Sequence, residues 1–246
     1  MSAMHARRGG DGERTVLLLH GLGATGEVWR GFTDGLDAAW IAPDLPGHGR
    51  SETVGRYSLG RVAAELAELV PEDRPVAVLG HSLGGALALT LASGWFRAPV
   101  EAVYGLGVKV RWSADDLAKA RASASRPPRT FATREEAVER WLKVSGLQGL
   151  WSPDDVAAGV VETEQGWRLA LDQAAFAVGP PDMAGLLAAA RAPVTLAAGE
   201  RDPMCPAEHL REFVADPVIL PGLGHNAHVE DPAAVRALLK PGADRP

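Results

Sequence analysis

Three residues of this chain could together turn a hydroxyl into a nucleophile: Ser82, Asp202 and His225. Ser82 stands in Gly80-His81-Ser82-Leu83-Gly84-Gly85, after an apolar run at 75–79 and before Ala86-Leu87-Ala88-Leu89. A serine hydroxyl is a weak nucleophile until a base takes its proton, and the base needs an orienting acid. Between a strand and a helix, Gly80 and Gly84 would remove side chains that clash across a sharp turn, leaving the serine oxygen exposed. The competing reading is that Ser82 only caps the following helix. With 28 glycines in 246 residues, a Gly-x-Ser-x-Gly match alone does not decide between them.

Both partners are available further along the chain. Asp202 lies in Gly199-Glu200-Arg201-Asp202-Pro203, after an apolar run at 193–198, and His225 lies in Gly222-Leu223-Gly224-His225, after a run ending at Leu220. The order Ser, Asp, His, each after its own strand, is the one expected where a strand-turn-helix carries the nucleophile. Glu200 competes for the acid, but Asp202 is further out in the loop and reaches a neighbouring loop more easily. His228 competes for the base. Gly222 and Gly224 free the loop at His225, whereas His228 leads into Val229-Glu230-Asp231-Pro232 and reads as structural.

Acyl transfer also needs two fixed donors for the oxyanion. The backbone amide of Leu83, at a helix N-terminus, is one. The amide of Leu22, in His20-Gly21-Leu22-Gly23, is the expected second. That stretch has neither Gly-x-Gly-x-x-Gly nor a following Lys-Ser/Thr, which argues against nucleotide binding. No cofactor or metal is expected.

The elements that must hold these residues alternate. Short apolar runs at 15–20, 40–43, 75–79, 100–106, 193–198 and 218–220 read as strands buried on both faces. Helical periodicity separates them, clearest in Leu59, Val62, Ala63, Leu66, Leu69 and Val70, then at 83–93, 207–214 and from Pro232. The alternation predicts an α/β protein with a mostly parallel sheet of six or seven strands and helices on both faces. The rhythm breaks at 108–182, where no strand is evident. Ser113, Thr133 and Ser152 there each head a capping signature, and four of the seven tryptophans fall in this stretch, at 112, 141, 151 and 167. The organisation predicted is a core of residues 1–107 and 183–246 with a helical lid at 108–182.

Composition sets the outer bounds. Hydrophobic residues make up 46% of the chain and charged ones 23%, as in a globular protein with a real core. A net charge of −6 and the lack of a basic block argue against nucleic-acid binding. The lone Cys205 rules out an intrachain disulfide and reads as a small buried filler. The opening residues have no signal-peptide core and read as a frayed leader, and no window suggests a membrane span. A cytoplasmic protein acting on a small molecule is expected, with no nucleic-acid or membrane partner.

Five ordered blocks resemble the α/β-hydrolase fold superfamily, in its serine-nucleophile, carboxylesterase-like members. They are His20-Gly21-Leu22-Gly23, Asp44-Leu45-Pro46-Gly47-His48-Gly49-Arg50-Ser51, the Ser82 block, Gly199-Glu200-Arg201-Asp202, and Gly224 through Pro232. The resemblance implies Ser82 as nucleophile, His225 as base, Asp202 as acid, and the amides of Leu22 and Leu83 as oxyanion hole. It also implies that the family's leading hairpin is short or missing here. Hydrolysis of a carboxylic ester with a small apolar acyl group is the expected activity. Thioester, lactone and diketone C–C hydrolysis and perhydrolysis are alternatives on the same residues. A receptor-like binding role is the alternative from another class. Relatives that open epoxides or remove halides use a carboxylate at the serine position, which disfavours those reactions. Trp141, Leu142, Trp151 and Phe176 are the candidates for the substrate pocket. Lys109 and Arg111 read as a solvated pair, with an anionic substrate group as the other possibility.

Overall fold

The computed structural model describes residues 3–239. Its strands are Ala6–Gly9 (β1), Thr15–Leu19 (β2), Ala39–Pro43 (β3), Val76–His81 (β4), Val100–Leu106 (β5), Val160–Thr163 (β6), Gly166–Leu169 (β7), Val194–Gly199 (β8) and Val218–Leu220 (β9). Seven of them form one sheet in the order β1-β3-β2-β4-β5-β8-β9. Every neighbouring pair is parallel except β1 with β3. β1 corrects the expectation of a frayed leader. Ala6-Arg7-Arg8-Gly9 has no apolar run, because an edge strand needs backbone pairing on one side only, and Arg7 lies 5.6 Å over the ring of Trp40 on β3.

The helices are Arg30–Thr33 (α1), Leu59–Ala67 (α2), Leu83–Ala92 (α3), Ala114–Ala124 (α4), Arg134–Val144 (α5), Met183–Ala189 (α6), Ala207–Leu210 (α7), Ala227–Glu230 (α8) and Pro232–Arg236 (α9). Two apolar clusters lie on the two faces of the sheet, and β2 shows why. Leu17 and Leu19 enter one cluster with α2 and α3, while Val16 and Leu18 enter the other with Trp29, Phe32 and Val235. A strand buried on both faces must be apolar throughout, which is the pattern read in the sequence. α7 is shorter than the helix expected at 207–214. No helix among the described residues is long and apolar enough to cross a membrane.

The segment between β5 and β8 holds α4 and α5, as expected, but also the β6–β7 hairpin, which the sequence reading missed. Each strand has only four residues and carries charge, so neither shows an apolar run. The hairpin closes through Thr163, whose Oγ1 donates to the Gly166 carbonyl at 2.7 Å, and pairs with Phe131 through two backbone bonds to Trp167. Ser113 and Asp116 form a full capping box on α4, and Thr133 caps α5. Ser152 heads only a 3₁₀ turn at Pro153–Asp155 with no side-chain cap. The segment is tied to the sheet-edge loops. Glu27 accepts from the amides of Ala157 and Ala158, and Asp172 accepts from the Tyr57 hydroxyl at 2.8 Å.

Candidate active site

Ser82 ends β4 and opens α3 with φ 51° and ψ −113°, a left-handed conformation that a side chain rarely adopts. Its side chain makes no capping hydrogen bond, so the helix-cap reading fails. The turn is held from both sides. The Ser82 amide donates to the Leu106 carbonyl at 2.8 Å, and a Cβ at Gly80 would fall on the backbone of Gly84. A Cβ at Gly84 would in turn strike the Leu19 carbonyl. These glycines let β2, β4 and α3 crowd around one point and push the serine outward.

Asp202 follows β8 and His225 follows β9. Nδ1 of His225 lies 2.8 Å from Oδ2 of Asp202. The other carboxylate oxygen accepts the amides of Met204 at 2.8 Å and Cys205 at 3.1 Å. Asp202 is buried while His225 reaches the cavity wall. Glu200 faces elsewhere and accepts the Gly222 amide at 2.8 Å, which supports the choice between the two acids. Gly107 (φ 61°) covers the pair, and a Cβ there would lie 3.1 Å from Asp202 and 3.3 Å from His225. Burial beside Asp202 pushes the Cys205 thiol up to about 12, in keeping with an inert filler.

Ser82, His225, Leu22 and Leu83 line one cavity of about 370 Å³. Among the described residues, no hydrogen bond occupies the backbone N–H of Leu22 or Leu83. The loop bearing Leu22 is fixed by His20. Nε2 of His20 accepts the Leu45 amide at 2.8 Å, so Nδ1 carries the proton and donates to the Gly21 carbonyl at 2.8 Å. Burial pushes His20 down to about 4, which keeps it neutral. A Cβ at Gly21 would lie 2.9 Å from Nδ1 of His81 and 3.3 Å from Cβ of Ser82, so glycine lets this loop close on the nucleophile turn without displacing the His81 ring.

His81 and His228 back the site. Nε2 of His81 donates to the His225 carbonyl at 2.8 Å, and its ring lies tilted between those of His225 and His228, with centroids at 4.6 and 4.4 Å. His228 is buried against Trp29, and neither of its ring nitrogens has a partner. It is structural, as read.

The pocket residues need correction. Phe176 lines the cavity, but Trp141, Leu142 and Trp151 do not. Trp141 and Leu142 are buried in the second apolar cluster with Ala137 and Val138, filling the inside of α5. Trp151 packs on the outside of that cluster, with Arg30 5.6 Å over its ring. An amphipathic helix facing the protein interior shows the same periodicity as one facing a cavity. The walls are instead made by residues the sequence reading passed over, notably Trp112, Val144 and Met204, at element ends where no periodic signal exists. Lys109 also lines the cavity, but its Nζ lies 2.8 Å from Asp116 and 4.8 Å over Trp112. Lys109 and Ser113 hold the Asp116 carboxyl well below its ordinary range. Arg111 pairs with Glu212. Arg111 is thus exposed, as expected, while Lys109 is half-buried in the cavity wall and not a solvated side chain.

The alpha/beta hydrolase family matches residues 16–238. The chain belongs to that family. It is 30% identical over 207 residues to a pimeloyl-[acyl-carrier protein] methyl ester esterase of Neisseria meningitidis serogroup B, covering 80% of this chain and 78% of the relative. It is 46% identical over 97 residues to the magnesium-chelatase 30 kDa subunit of Rhodobacter capsulatus, but that match spans only 33% of the relative and 37% of this chain. A solved structure of E-2-(acetamidomethylene)succinate hydrolase superposes with a TM-score of 0.78 at 20% identity, covering 96% of this chain and 93% of that one. The thioesterase domain of a curacin biosynthetic pathway gives 0.77 at 21%, covering 96% and 95%. At these identities the two structures speak for the fold. The relatives found by sequence also include a lipase of Mycobacterium tuberculosis, 39% identical over 94 residues but spanning only 36% of that relative and 37% of this chain.

Proposed function

We propose that the protein is a serine hydrolase that cleaves a carboxylic ester through an acyl-enzyme, with Ser82 as nucleophile, His225 as base and Asp202 as acid. The observation that carries this reading is the 2.8 Å Asp202–His225 pair opening onto the same cavity as a serine held at φ 51°. Asp202 accepts a hydrogen bond from Nδ1–H of His225, which leaves Nε2 unprotonated and free to take the Ser82 proton. The Ser82 oxygen attacks the ester carbonyl, and the oxyanion meets the unoccupied amides of Leu22 and Leu83. Collapse expels the alcohol, which leaves with the proton held by His225. Water then attacks the acyl-enzyme by the same route, giving the acid and returning Ser82.

Leu22, Leu83, Val144, Phe176 and Met204 make the cavity largely apolar, which suits an acyl group. The segment between β5 and β8 acts as the lid that sets which acyl group enters, since Trp112, Val144 and Phe176 come from it. The similarity to methyl ester esterases over most of the chain favours an oxygen ester over the thioester, lactone and diketone alternatives.

The test is covalent capture. A fluorophosphonate should add one phosphonyl group to the wild-type protein at Ser82, seen by intact-mass and peptide mass spectrometry. Ser82→Ala should take up none. Sustained turnover of simple esters separates an enzyme from a receptor-like protein, which would react once and stop. Labelling elsewhere, or equal labelling of the variant, would overturn the assignment.

A further inference from the structure

A second hollow, of about 240 Å³, lies beside the candidate active site and shares Val144 and Phe176 with it. Three arginines line it: Arg126 and Arg129 from the loop between α4 and α5, and Arg140 from α5. We propose that this hollow binds an anionic group at the far end of the substrate, a carboxylate or a phosphate. The substrate class is then an ester whose reacting end sits in the apolar cavity and whose other end is negatively charged. The proposal rests on the reading of the Ser82 cavity as the site of ester hydrolysis.

The charge distribution is the first argument. The chain as a whole carries −6, yet from Arg121 to Arg134 it has four arginines and no acid. Among the described residues, Arg126, Arg129 and Arg140 join no ion pair. Nearby acids are engaged otherwise. Glu136 accepts the Ala132 amide at 3.1 Å, and Asp172 accepts the Tyr57 hydroxyl and the Ala174 amide. The three side chains are exposed, so only solvent balances their charge until an anion enters the hollow.

Chemistry and stiffness add to it. A guanidinium presents a planar fork of donors that matches a carboxylate or phosphate, and Ser123 and Gln173 bring further polar groups to the wall. Pro127-Pro128, with φ fixed in both rings, separates Arg126 from Arg129 and limits the backbone freedom that binding would remove. Arg129 also rests 4.8 Å over the Phe131 ring. Lys109 is paired with Asp116, and Lys143, the other lysine on the Ser82 cavity wall, does not line the three-arginine hollow.

The test compares methyl esters of matched chain length that end in methyl, in carboxylate or in phosphate. For chains long enough to pass Val144 and Phe176, an anionic end should raise kcat/KM about tenfold or more over the neutral ester, as one charge-assisted contact allows. The carboxylate and phosphate arms tell the two anions apart. Arg140→Glu, and Arg126→Ala with Arg129→Ala, should bring the anionic-to-neutral ratio close to one. Arg140→Gln serves if Arg140→Glu does not fold, as judged by thermal unfolding. A wild-type protein indifferent to the end group, or variants that keep the ratio, would overturn the proposal. If no ester is turned over, binding of inorganic phosphate and of a dicarboxylate monoester is measured by calorimetry on wild type and Arg140→Glu. Binding lost in the variant upholds the anion site although the hydrolase reading has failed. Equal binding, or none, rejects the site.

Discussion

Oδ2 of Asp202 lies 2.8 Å from Nδ1 of His225 while Oδ1 of the same carboxylate holds the amides of Met204 and Cys205. Both oxygens are thus committed, and the carboxylate cannot rotate without losing backbone bonds. Asn at this position can keep one oxygen toward the amides, but it then presents an NH₂ to Nδ1 and forces the wrong imidazole tautomer. Asp202→Asn is therefore expected to lower kcat by about 10⁴ with the fold retained. Glu200→Gln touches only the Gly222 amide and should cost tenfold or less. Steady-state kinetics on one activated ester decides the ranking, and the reverse order would move the acid to Glu200.

Ser82 stores strain at φ 51°, and the strain has a measurable release. Alanine keeps the Cβ and hence the strain, while glycine does not. Both variants should be inactive, yet Ser82→Gly is expected to exceed Ser82→Ala in stability by about 1 kcal/mol, since relief of some 1–3 kcal/mol is partly offset by the entropy of glycine. Urea unfolding compares them. If the alanine variant is the more stable, the turn is not strained as described.

Four buried histidines make stability depend on pH. Burial pushes His20 from its ordinary 6.5 to about 4, His48 and His228 to about 3, and His81 well below 6.5. Between those folded values and 6.5 the unfolded chain holds more protons than the folded one. Stability is therefore full above about pH 6.5 and falls as pH drops toward 3, by up to about 1.4 kcal/mol per unit for each histidine. The urea midpoint near pH 5 should lie clearly below that near pH 7.5. His228 has no partner on either ring nitrogen, so His228→Phe should flatten part of this slope without loss of stability near neutrality. An unchanged slope in that variant would remove His228 from the account.

What the sequence made legible follows from which forces are periodic or local. β2, β4, β5 and β8 lie in the middle of a parallel sheet, so both their faces had to be apolar and the runs stood out. The turn at Ser82 was legible because glycine alone fits where Gly80 meets Gly84, and glycine at 21 lets its loop close on the turn. β1 and the β6–β7 hairpin were not legible, since an edge strand and a short hairpin need only backbone pairing and leave no apolar signature. The cavity walls were the least legible part. Val144 and Met204 come from the end of a helix and from a loop, and only their meeting in space makes them a wall.

Trp141 and Phe176 should separate packing from selectivity in the segment over the site. Trp141 is 1% exposed, lies in the second apolar cluster, and sits so close to Gly159 that a Cβ there would fall against its indole ring. Trp141→Ala leaves a cavity inside the segment, and the loss should be about 3–5 kcal/mol, read as a lower thermal midpoint. Its ranking of short against long acyl esters should stay that of the parent, because the side chain does not reach the cavity. Phe176 is partly exposed and stands between the Ser82 cavity and the arginine-lined hollow. Phe176→Ala removes less buried surface but opens that wall. Its thermal midpoint should fall less, while the ratio of kcat/KM between long and short esters should rise by about tenfold, the scale set by one or two methylenes in an apolar pocket. The two effects are opposite in kind, so they cannot both come from general loosening. Should Trp141→Ala change the ranking while Phe176→Ala leaves it alone, the acyl chain must run inside the segment rather than along Phe176, and the two hollows would not be joined by the substrate.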